Sequence, residues 1–289
     1  MIRLGTRASA LALAQAKLVA DRLPDARLVP ITTAGDRGSR DDKSRFVKEL
    51  ESALLAGEID LAVHSAKDVP GELPAGLAIV GVPERADARD ALCGARSLDE
   101  LDVGAVVGTA SVRRRAQLLA LRPDLQIREL RGNVDTRLRR LADGDFHAIV
   151  LAQAGLDRLG RGHEGAPLTE LVPAPGQGCL LLEGREGDAG EAGLLTDASA
   201  LAALTAERAL VAALEATCHS PVGAHAVARE GALGLAAFAG LPDGSHWIGD
   251  EVEGMPDDPR ALGLAAAQRL RSAGVAELLA EAERMAVAG

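Results

Sequence analysis

Short apolar runs alternate with longer amphipathic segments in the first part of the chain. The run from Ile59 to Val63 is rich in branched side chains, which predicts a buried β-strand that ends before Pro70. The opening segment "IRLGTRASALALAQAKLVADRL" predicts a strand, a Gly-Thr turn and a helix capped by Ser9. The segment "AVVGTASVRRRAQLLAL" repeats this order, with Ser111 as the predicted cap.

A second pair of segments supports an internal repeat. Both "AGEIDLAVHSAKD" and "DGDFHAIVLAQAG" contain a glycine, an acidic residue, an apolar strand and a polar exit. Repetition of this plan predicts an α/β fold with two similar lobes like those of periplasmic binding proteins. Ligands lie at the carboxyl ends of parallel strands, so we expect Gly5, Gly108 and the pair Lys67–Asp68 to border one shared cleft.

The predicted domains are a first lobe of residues 1–85 with 179–196, a second lobe of residues 88–173, and a smaller α+β domain of residues 198–289. The runs 96–102 and 172–178 are interpreted as crossings between the lobes. The third domain is expected to contain a helix over about 198–216, three strands, and a final helix over about 258–284 in which Gly263 and Gly274 are weak points.

Composition excludes several classes of protein. The 289 residues carry a net charge of −10 and only 1% aromatic side chains, whereas nucleic-acid binding favours basic patches and stacking rings. No apolar run reaches the length of a membrane span, and the N-terminus lacks the pattern of a secretory signal, so we expect a cytoplasmic protein. The three cysteines lie far apart and no zinc-like spacing occurs, which predicts neither a disulfide framework nor a metal site. Nothing in the sequence requires more than a monomer.

Arginines are concentrated where helices are predicted to begin. Residues 113–161 include eleven arginines, no lysine and six acidic residues, a net charge of +5. The arginines at 113–115 open one predicted helix, and Arg131 precedes the next. Helix N-termini attract anions and guanidinium groups bind carboxylates through paired hydrogen bonds, so the pattern predicts a small ligand with many carboxylates. The arginines interpreted as solvated surface residues are Arg122, Arg139 and Arg140.

Two candidate groups leave alternatives open. Asp68 would stay ionised in a basic cleft and could stabilise a developing cation, but its position also fits a surface pair with Lys67 or a turn. Cys218, in "EATCHSPVG", is either a buried, inert thiol or a reactive one in a rigid loop. For the whole chain, an enzyme and a non-enzymatic two-lobed anion-binding protein are both compatible with this architecture. An RNA-binding arginine cluster is excluded by the acidic net charge and the scarcity of rings.

Six motifs stand in order along the chain: "GTRASALALAQ", "FVKELESALL", "DLAVHSAKDVP", "GTASVRRRAQL", "LRGNVDTRL" and "PAPGQGC". Their succession, from residue 2 to beyond 230, resembles the porphobilinogen deaminase (hydroxymethylbilane synthase) family. The resemblance implies a transferase of tetrapyrrole, porphyrin and heme biosynthesis. Such enzymes join four porphobilinogen molecules head to tail, release ammonia from each, and hydrolyse the product to hydroxymethylbilane.

The same resemblance implies a dipyrromethane cofactor, bound covalently through a thioether to Cys218. Each pyrrole of porphobilinogen and of the linear polypyrroles carries an acetate and a propionate, the ligand class that the arginines predict. Asp68 is the implied catalytic carboxylate, which would stabilise the cation left when ammonia departs and hold pyrrole N–H groups. The implied cofactor-binding residues are Cys218, Lys67, Thr109, Ser111, Arg113, Arg114, Arg131 and Asn133. The implied substrate-binding residues are Arg7, Ser9, Arg137 and Arg158. Asp36 and Gln177 match weaker contributors, and Lys43 and Phe46 match the end of a mobile loop.

Two segments depart from the family's pattern. Ala216 and Thr217 replace a glycine pair that often precedes the anchoring cysteine, and glycine adopts backbone angles that these residues resist. The segment "AGDRGSRDDKSRF" at 34–46 lacks a glycine-rich stretch in a region expected to cover the cleft. We therefore expect a different loop conformation before Cys218 and a shorter segment over the cleft.

Overall fold

The computed structural model describes residues 1–32, 47–217 and 219–288. The chain divides into two compact units, Met1–Ala86 with Gly178–Leu201, and Asp87–Gln177 with Ala202–Gly289. The first unit is an α/β lobe that the chain completes on its return after residue 177. The second unit contains another α/β lobe and a smaller sheet domain.

The described helices and strands follow in chain order. Up to residue 86 they are β1 (Ile2–Arg7), α1 (Ala10–Ala20), β2 (Ala26–Ile31), α2 (Lys48–Leu55), β3 (Leu61–Ser65) and β4 (Leu77–Gly81). Between residues 87 and 177 they are β5 (Asp90–Cys93), β6 (Val106–Gly108), α3 (Val112–Leu121), β7 (Gln126–Arg128), α4 (Val134–Ala142), β8 (Ala148–Ala152), α5 (Gln153–Arg158) and β9 (Ala166–Leu168). The remainder are β10 (Leu180–Arg185), α6 (Ala198–Ala213), β11 (Val222–Arg229), β12 (Ala232–Gly240), β13 (Trp247–Gly254), α7 (Pro259–Ser272) and α8 (Val275–Ala288). None of the described helices combines the length and the apolar character that crossing a membrane requires.

The two lobes contain five-stranded sheets of the same topology. The first sheet has the order β2-β1-β3-β10-β4, and the second has the order β7-β6-β8-β5-β9. In both sheets the first three strands are parallel, and the fourth strand runs antiparallel to its neighbours on either side. The predicted fold class, two similar α/β lobes with a smaller α+β domain, is confirmed.

Each lobe contains the strand–turn–helix unit that the sequence repeats. Ser9 caps α1 by accepting a hydrogen bond from the Ala12 N–H at 3.3 Å, and Ser111 caps α3 by accepting one from the Arg114 N–H at 3.4 Å. Such an oxygen satisfies a backbone donor that the first turn of a helix leaves without a partner. Both predicted caps are confirmed, and the two helices begin at corresponding places in their lobes.

The first sheet is covered by helices on both faces. One face packs against α1 through Leu4, Leu182 and the helical Val19, and the other packs against α2 through Ala62 and Leu50. Burial on both faces explains why the central strand β3 is a nearly continuous apolar run rather than an alternating one.

The C-terminal part of the second unit is an antiparallel sheet of order β11-β12-β13 packed against three helices. Leu210 of α6, Leu270 of α7 and Leu278 of α8 are buried with Leu235 of β12 in one apolar core. The prediction of one final helix is wrong, because the segment is divided into α7 and α8 at Gly274. Its φ of +91° lies in the left-handed region, which an α-helix does not use.

The interpretation of residues 96–102 as a crossing between lobes is also wrong. Leu98 and Leu101 are buried with Leu92 and Val107 in the core of the second lobe. The run therefore belongs to that lobe, and the polar residues between the two leucines form a short turn inside it.

Candidate functional site

The carboxyl edge of the first sheet carries the candidate catalytic pair. Because β1 and β3 are parallel neighbours, the residues that follow both strands meet at one edge. Arg7 ends β1, and Lys67 and Asp68 lie half-buried in a single 3-10 turn directly after β3. The Ala66 N–H donates to the Cys179 carbonyl at 3.1 Å, which ties this turn to the chain entering β10. The structure thus brings Arg7, Lys67 and Asp68 to one side of the sheet, together with the Ser9 cap.

The carboxyl edge of the second sheet carries Thr109 and Ser111, which directly follow β6. The Thr109 N–H donates to the Arg128 carbonyl at 3.0 Å, and the Thr109 hydroxyl accepts from the Ser111 N–H at 3.2 Å. Thr109 is buried, and Ser111 is half-buried at the start of α3. The two hydroxyls therefore order the turn from which α3 begins.

A buried ion cluster lies in the first turn of α3. Arg113 donates from Nη1 to Asp90 Oδ2 at 2.8 Å and from Nη2 to Asp90 Oδ1 at 3.2 Å. Arg114 donates to Asp90 Oδ1 from Nε at 2.9 Å and from Nη2 at 2.7 Å, and Gln177 Nε2 donates to the same oxygen at 2.9 Å. Arg113 is 4% exposed, Arg114 6% and Asp90 0%. The sequence pattern placed these arginines toward a ligand, whereas the structure also gives them an internal carboxylate.

Backbone carbonyls complete the ion cluster. Arg113 Nη1 donates to the Val172 carbonyl at 2.7 Å, and Arg114 Nη1 donates to the Val150 carbonyl at 2.8 Å. Burial by itself would raise the pKa of the Asp90 carboxyl, but the charges of Arg113 and Arg114 and the hydrogen bonds that Asp90 accepts lower this pKa overall. Asp90 is therefore ionised, and the cluster of two guanidinium groups and one carboxylate has a net positive charge.

The segment around Val172 also contacts the C-terminal domain. Gly223 of β11 lies so close that a Cβ at this position would stand 2.8 Å from the Val172 carbonyl oxygen. The carboxylate of Glu207, on α6, is buried and accepts from the Gly176 N–H at 2.6 Å and from the Ala226 N–H at 2.7 Å. The loop before β10, the helix α6 and the strand β11 are therefore joined within the second unit.

The start of α4 presents accessible groups. The Arg131 side chain is 66% exposed, with Nη2 2.6 Å from Glu129 Oε1. Asn133 caps α4 by accepting from a first-turn N–H at 2.8 Å, and Arg137 Nε donates to the Gly132 carbonyl at 2.7 Å. These three predicted residues lie together at one helix N-terminus, where backbone N–H groups and the helix dipole favour anions.

Two further arginines of the second lobe have predicted roles, Arg158 and Arg122. Arg158 is half-buried in the last turn of α5. Arg122 is only 20% exposed, pairs with Asp124 at 2.8 Å, and donates to the carbonyls of Leu98 and Leu101. The interpretation of Arg122 as a solvated surface residue is therefore wrong, because its guanidinium group holds an internal turn of the second lobe.

Four residues with predicted roles lie outside the described residues: Cys218, Asp36, Lys43 and Phe46. Beside Cys218, the Thr217 N–H donates to Ser220 Oγ at 3.0 Å, and the His219 N–H donates to Thr217 Oγ1 at 3.2 Å. Neither Ala216 nor Thr217 has a positive φ. The backbone at these two positions therefore does not require the glycine pair that the family often has.

Sequence reasoning missed Asp90 and Glu207. Asp90 stands in "ERADARDAL", where charges alternate and no single acid is distinguished. The feature that could have identified Asp90 is its position as the first residue of β5, directly before three apolar residues. Glu207 could have been found as a rare acid within the Ala/Leu-rich helix α6.

Comparison with protein families accounts for most of the chain. The family model described as "Porphobilinogen deaminase, dipyromethane cofactor binding domain" matches residues 2–192. The model described as "Porphobilinogen deaminase, C-terminal domain" matches residues 201–272.

Curated relatives align over almost the full length of this chain. Porphobilinogen deaminase of Thermus thermophilus is 47% identical over 97% of this chain and 99% of its own length. The proteins of the same name from Brevibacillus brevis and Deinococcus radiodurans are 43% and 44% identical, and each covers at least 96% of this chain and 97% of its own length. Among solved structures, a periplasmic substrate-binding protein of an ABC transporter from Coxiella burnetii has a TM-score of 0.41 and 16% identity, over 68% of this chain and 89% of that chain.

Proposed function

Because the chain belongs to the porphobilinogen deaminase family, we propose that it polymerises porphobilinogen head to tail on a dipyrromethane primer bound by a thioether to Cys218. Four substrate molecules are joined with release of ammonia, and the linear product is hydrolysed to hydroxymethylbilane. The observation that carries this proposal is the 47% identity to a curated porphobilinogen deaminase over 97% of the chain.

Asp68 is the proposed catalytic residue. A carboxylate that is already fixed before the reaction stabilises positive charge without the cost of reorganising water or side chains. The turn that carries Asp68 is fixed at the end of β3 by the hydrogen bond from Ala66 to the Cys179 carbonyl at 3.1 Å. Asp68 therefore suits both tasks proposed for it: stabilising the cation that develops as ammonia leaves, and accepting hydrogen bonds from pyrrole N–H groups.

The residues of the second lobe fit a cofactor that carries several carboxylates. The ion cluster has a net positive charge, and Arg131 adds an accessible guanidinium group at the start of α4. When bound, the dipyrromethane group supplies the primer to which pyrrole units are added. The residues proposed to hold it, besides Cys218, are Lys67, Thr109, Ser111, Arg113, Arg114, Arg131 and Asn133.

Substrate carboxylates are assigned to a second set of residues. Guanidinium groups match the planar geometry of acetate and propionate, which favours arginine over lysine for this task. Arg7 ends β1, and Arg137 and Arg158 lie half-buried on α4 and α5. Ser9, beside Arg7, adds a hydroxyl whose oxygen also caps α1.

The proposal includes the wider setting predicted from the sequence. The chain works as a cytoplasmic monomer with the three predicted domains, and it acts on porphobilinogen and linear polypyrroles rather than on nucleic acid or membranes. The net charge of −10 disfavours an extended nucleic-acid surface, whereas the arginines of the second lobe can still form a small, local basic site.

Incubation of the purified protein with porphobilinogen tests the proposal. We expect four ammonia molecules for each hydroxymethylbilane formed, measured by an ammonia assay and by chromatography of the pyrrole product. If porphobilinogen binds but neither ammonia nor hydroxymethylbilane is produced, the protein is a non-enzymatic anion-binding protein and the proposed function is wrong.

A further inference from the structure

We propose that Asp90 is a positioning residue that holds the guanidinium groups of Arg113 and Arg114 in one fixed arrangement for the carboxylates of the cofactor. This inference rests on the proposed function. Asp90 is 0% exposed and acts through the two arginines, not by touching the ligand.

Asp90 offsets the electrostatic repulsion between two neighbouring arginines. Arg113 and Arg114 are neighbours in sequence and their guanidinium groups contact the same Asp90 carboxylate at 2.7 to 3.2 Å, so without it two like charges would be buried side by side. Like charges held against one carboxylate repel strongly in a poorly solvated interior. Asp90 cancels one of the two charges and leaves the other to attract an anion.

Asp90 also takes up only part of the hydrogen-bond donors of the two arginines. A guanidinium group has five N–H donors. Asp90 and one backbone carbonyl take three donors of Arg113 and three of Arg114. Within the described part of the chain, Arg113 Nε is buried and has no acceptor. Asp90 thus orients each group while leaving donors available for ligand carboxylates.

The first lobe has the same sheet topology but carries apolar residues at the positions that correspond to Asp90, Arg113 and Arg114. Asp90 pairs with Ala152, the last residue of the third strand of its sheet, and the corresponding rung of the first lobe pairs Leu180 with Ser65. Leu180 is 4% exposed and belongs to the apolar core. An acid is therefore not needed at this rung for the sheet to form.

The first turns of α1 and α3 differ between the lobes in the same way. Arg113 and Arg114 are the second and third residues of α3, and the corresponding residues of α1 are Leu11 and Ala12. Burying three charged groups costs desolvation energy that apolar residues of similar size avoid. Since one lobe folds with apolar residues at all three positions, the charges of the other lobe are explained by a ligand.

The experiment compares Asp90→Asn with Glu183→Gln. Glu183 is the matched control, since its carboxylate is also 0% exposed but faces His64 at 2.9 Å in the first lobe. Intact mass gives the fraction of protein that carries the dipyrromethane adduct, kinetics give KM and kcat for porphobilinogen, and thermal unfolding gives stability. We expect Asp90→Asn to lower cofactor loading at least about tenfold, because it leaves buried charges uncompensated. We expect Glu183→Gln to lose thermal stability but to load as fully as the wild type.

Two further variants complete the test. Asp90→Glu keeps the charge but displaces the carboxylate, so it should fold and load partially, even if Asp90→Asn fails to fold. Its kcat per total protein should fall in proportion to the unloaded fraction, while KM for porphobilinogen stays unchanged. Adding Asp90→Asn to a protein with Arg113→Gln and Arg114→Gln should reduce loading no further, because coupled groups are not additive.

Full loading in both Asp90 variants would overturn the proposal, as would an equal loss of loading in Glu183→Gln. A further loss of loading in the triple variant would also overturn it, because Asp90 would then act independently of the arginines. A wild-type protein without adduct would refute the proposed function together with this inference, whereas a loaded wild type with fully loaded Asp90 variants would refute the inference alone.

Discussion

The two lobes share one sheet topology but carry different charged groups at its carboxyl edge: a half-buried carboxylate in the first lobe, and a buried carboxylate held by two arginines in the second. In the first lobe Asp68 follows the third strand and is half-buried in a short turn. In the second lobe Asp90 begins the fourth strand, is completely buried, and is surrounded by donors from Arg113, Arg114 and Gln177. The proposed roles follow from this difference, since one carboxylate is placed to meet developing charge and the other to hold cations.

The comparison shows which part of the chemistry the topology determines. Parallel strands bring polar residues to one edge in both sheets, whatever those residues are. The side chains in the first turn of the following helix, and on the last rung of the third strand, then decide the charge. In the first lobe these are Leu11, Ala12 and Leu180, all apolar. The buried acid of that sheet, Glu183, lies 2.9 Å from His64.

The largest effect is expected from Asp68→Ala. Loss of a fixed group that stabilises the transition state lowers kcat about 10²- to 10³-fold. Steady-state kinetics with porphobilinogen and a thermal unfolding curve measure the effect. The control is Asp21→Ala, which removes another first-lobe acid that is 59% exposed and forms a surface ion pair with Lys17. Normal turnover in Asp68→Ala would contradict the role given to the first lobe.

The next largest effect is expected from Arg131→Leu in the second lobe. Losing one charge-assisted hydrogen bond to a carboxylate weakens cofactor loading or the first additions about tenfold. Intact mass and the ammonia released in a first turnover measure the two steps. The control, Arg139→Leu, removes an exposed arginine from the last turn of the same helix and should change neither. Equal loss in both variants would show that only the general positive charge of the lobe matters.

A smaller effect is expected from Gly108→Ala, compared with Gly5→Ala at the corresponding strand position of the first lobe. A Cβ at Gly108 would lie 2.8 to 3.0 Å from side-chain atoms of Phe146, Leu130 and Ile149, so three residues must move. At Gly5 the closest atom, at 2.3 Å, is the terminal methyl of Ile59, which moves more easily. Chemical denaturation should give a loss of about 1–3 kcal/mol for Gly108→Ala and less for Gly5→Ala. The reverse order would contradict this account of how the two edges are packed.

The smallest effect concerns acid pH. The hydrogen bond from Arg3 lowers the pKa of Asp60 to about 2, from 3.8 for the free side chain. Because the pKa is lower in the folded protein, this pair stabilises the first lobe above pH 4, and its contribution is lost as the pH falls toward 2. Thermal unfolding of Asp60→Asn from pH 6 to pH 2 should therefore show a shallower decline than the wild type. An equally steep decline would mean that other carboxylates determine acid unfolding.

Local signals explain what could be predicted from the sequence. The repeated strand–turn–helix units, the caps Ser9 and Ser111, and the turn that carries Asp68 all depend on residues close together in the chain. The apolar strands and the repeat then determine the fold class, because parallel strands need helical connections.

Contacts between distant segments explain what could not be predicted. Asp90 reaches Arg113 and Arg114 because β5 pairs with the end of β8 and places its first residue beneath α3. The pattern of arginines at helix starts therefore identified the right region but not the internal carboxylate. Gly263 and Gly274 are both predicted weak points of the final helix. The sequence alone does not show which of them ends it, because a lone glycine in an amphipathic segment is also compatible with a continuous helix.

The intact mass of the purified protein, compared with that of Cys218→Ser, tests the central claim most directly. The account predicts that the wild type carries the additional mass of two linked pyrroles and that Cys218→Ser has the mass of its polypeptide alone. An unmodified wild type that still makes hydroxymethylbilane, or a Cys218→Ser variant that retains the adduct, would contradict it.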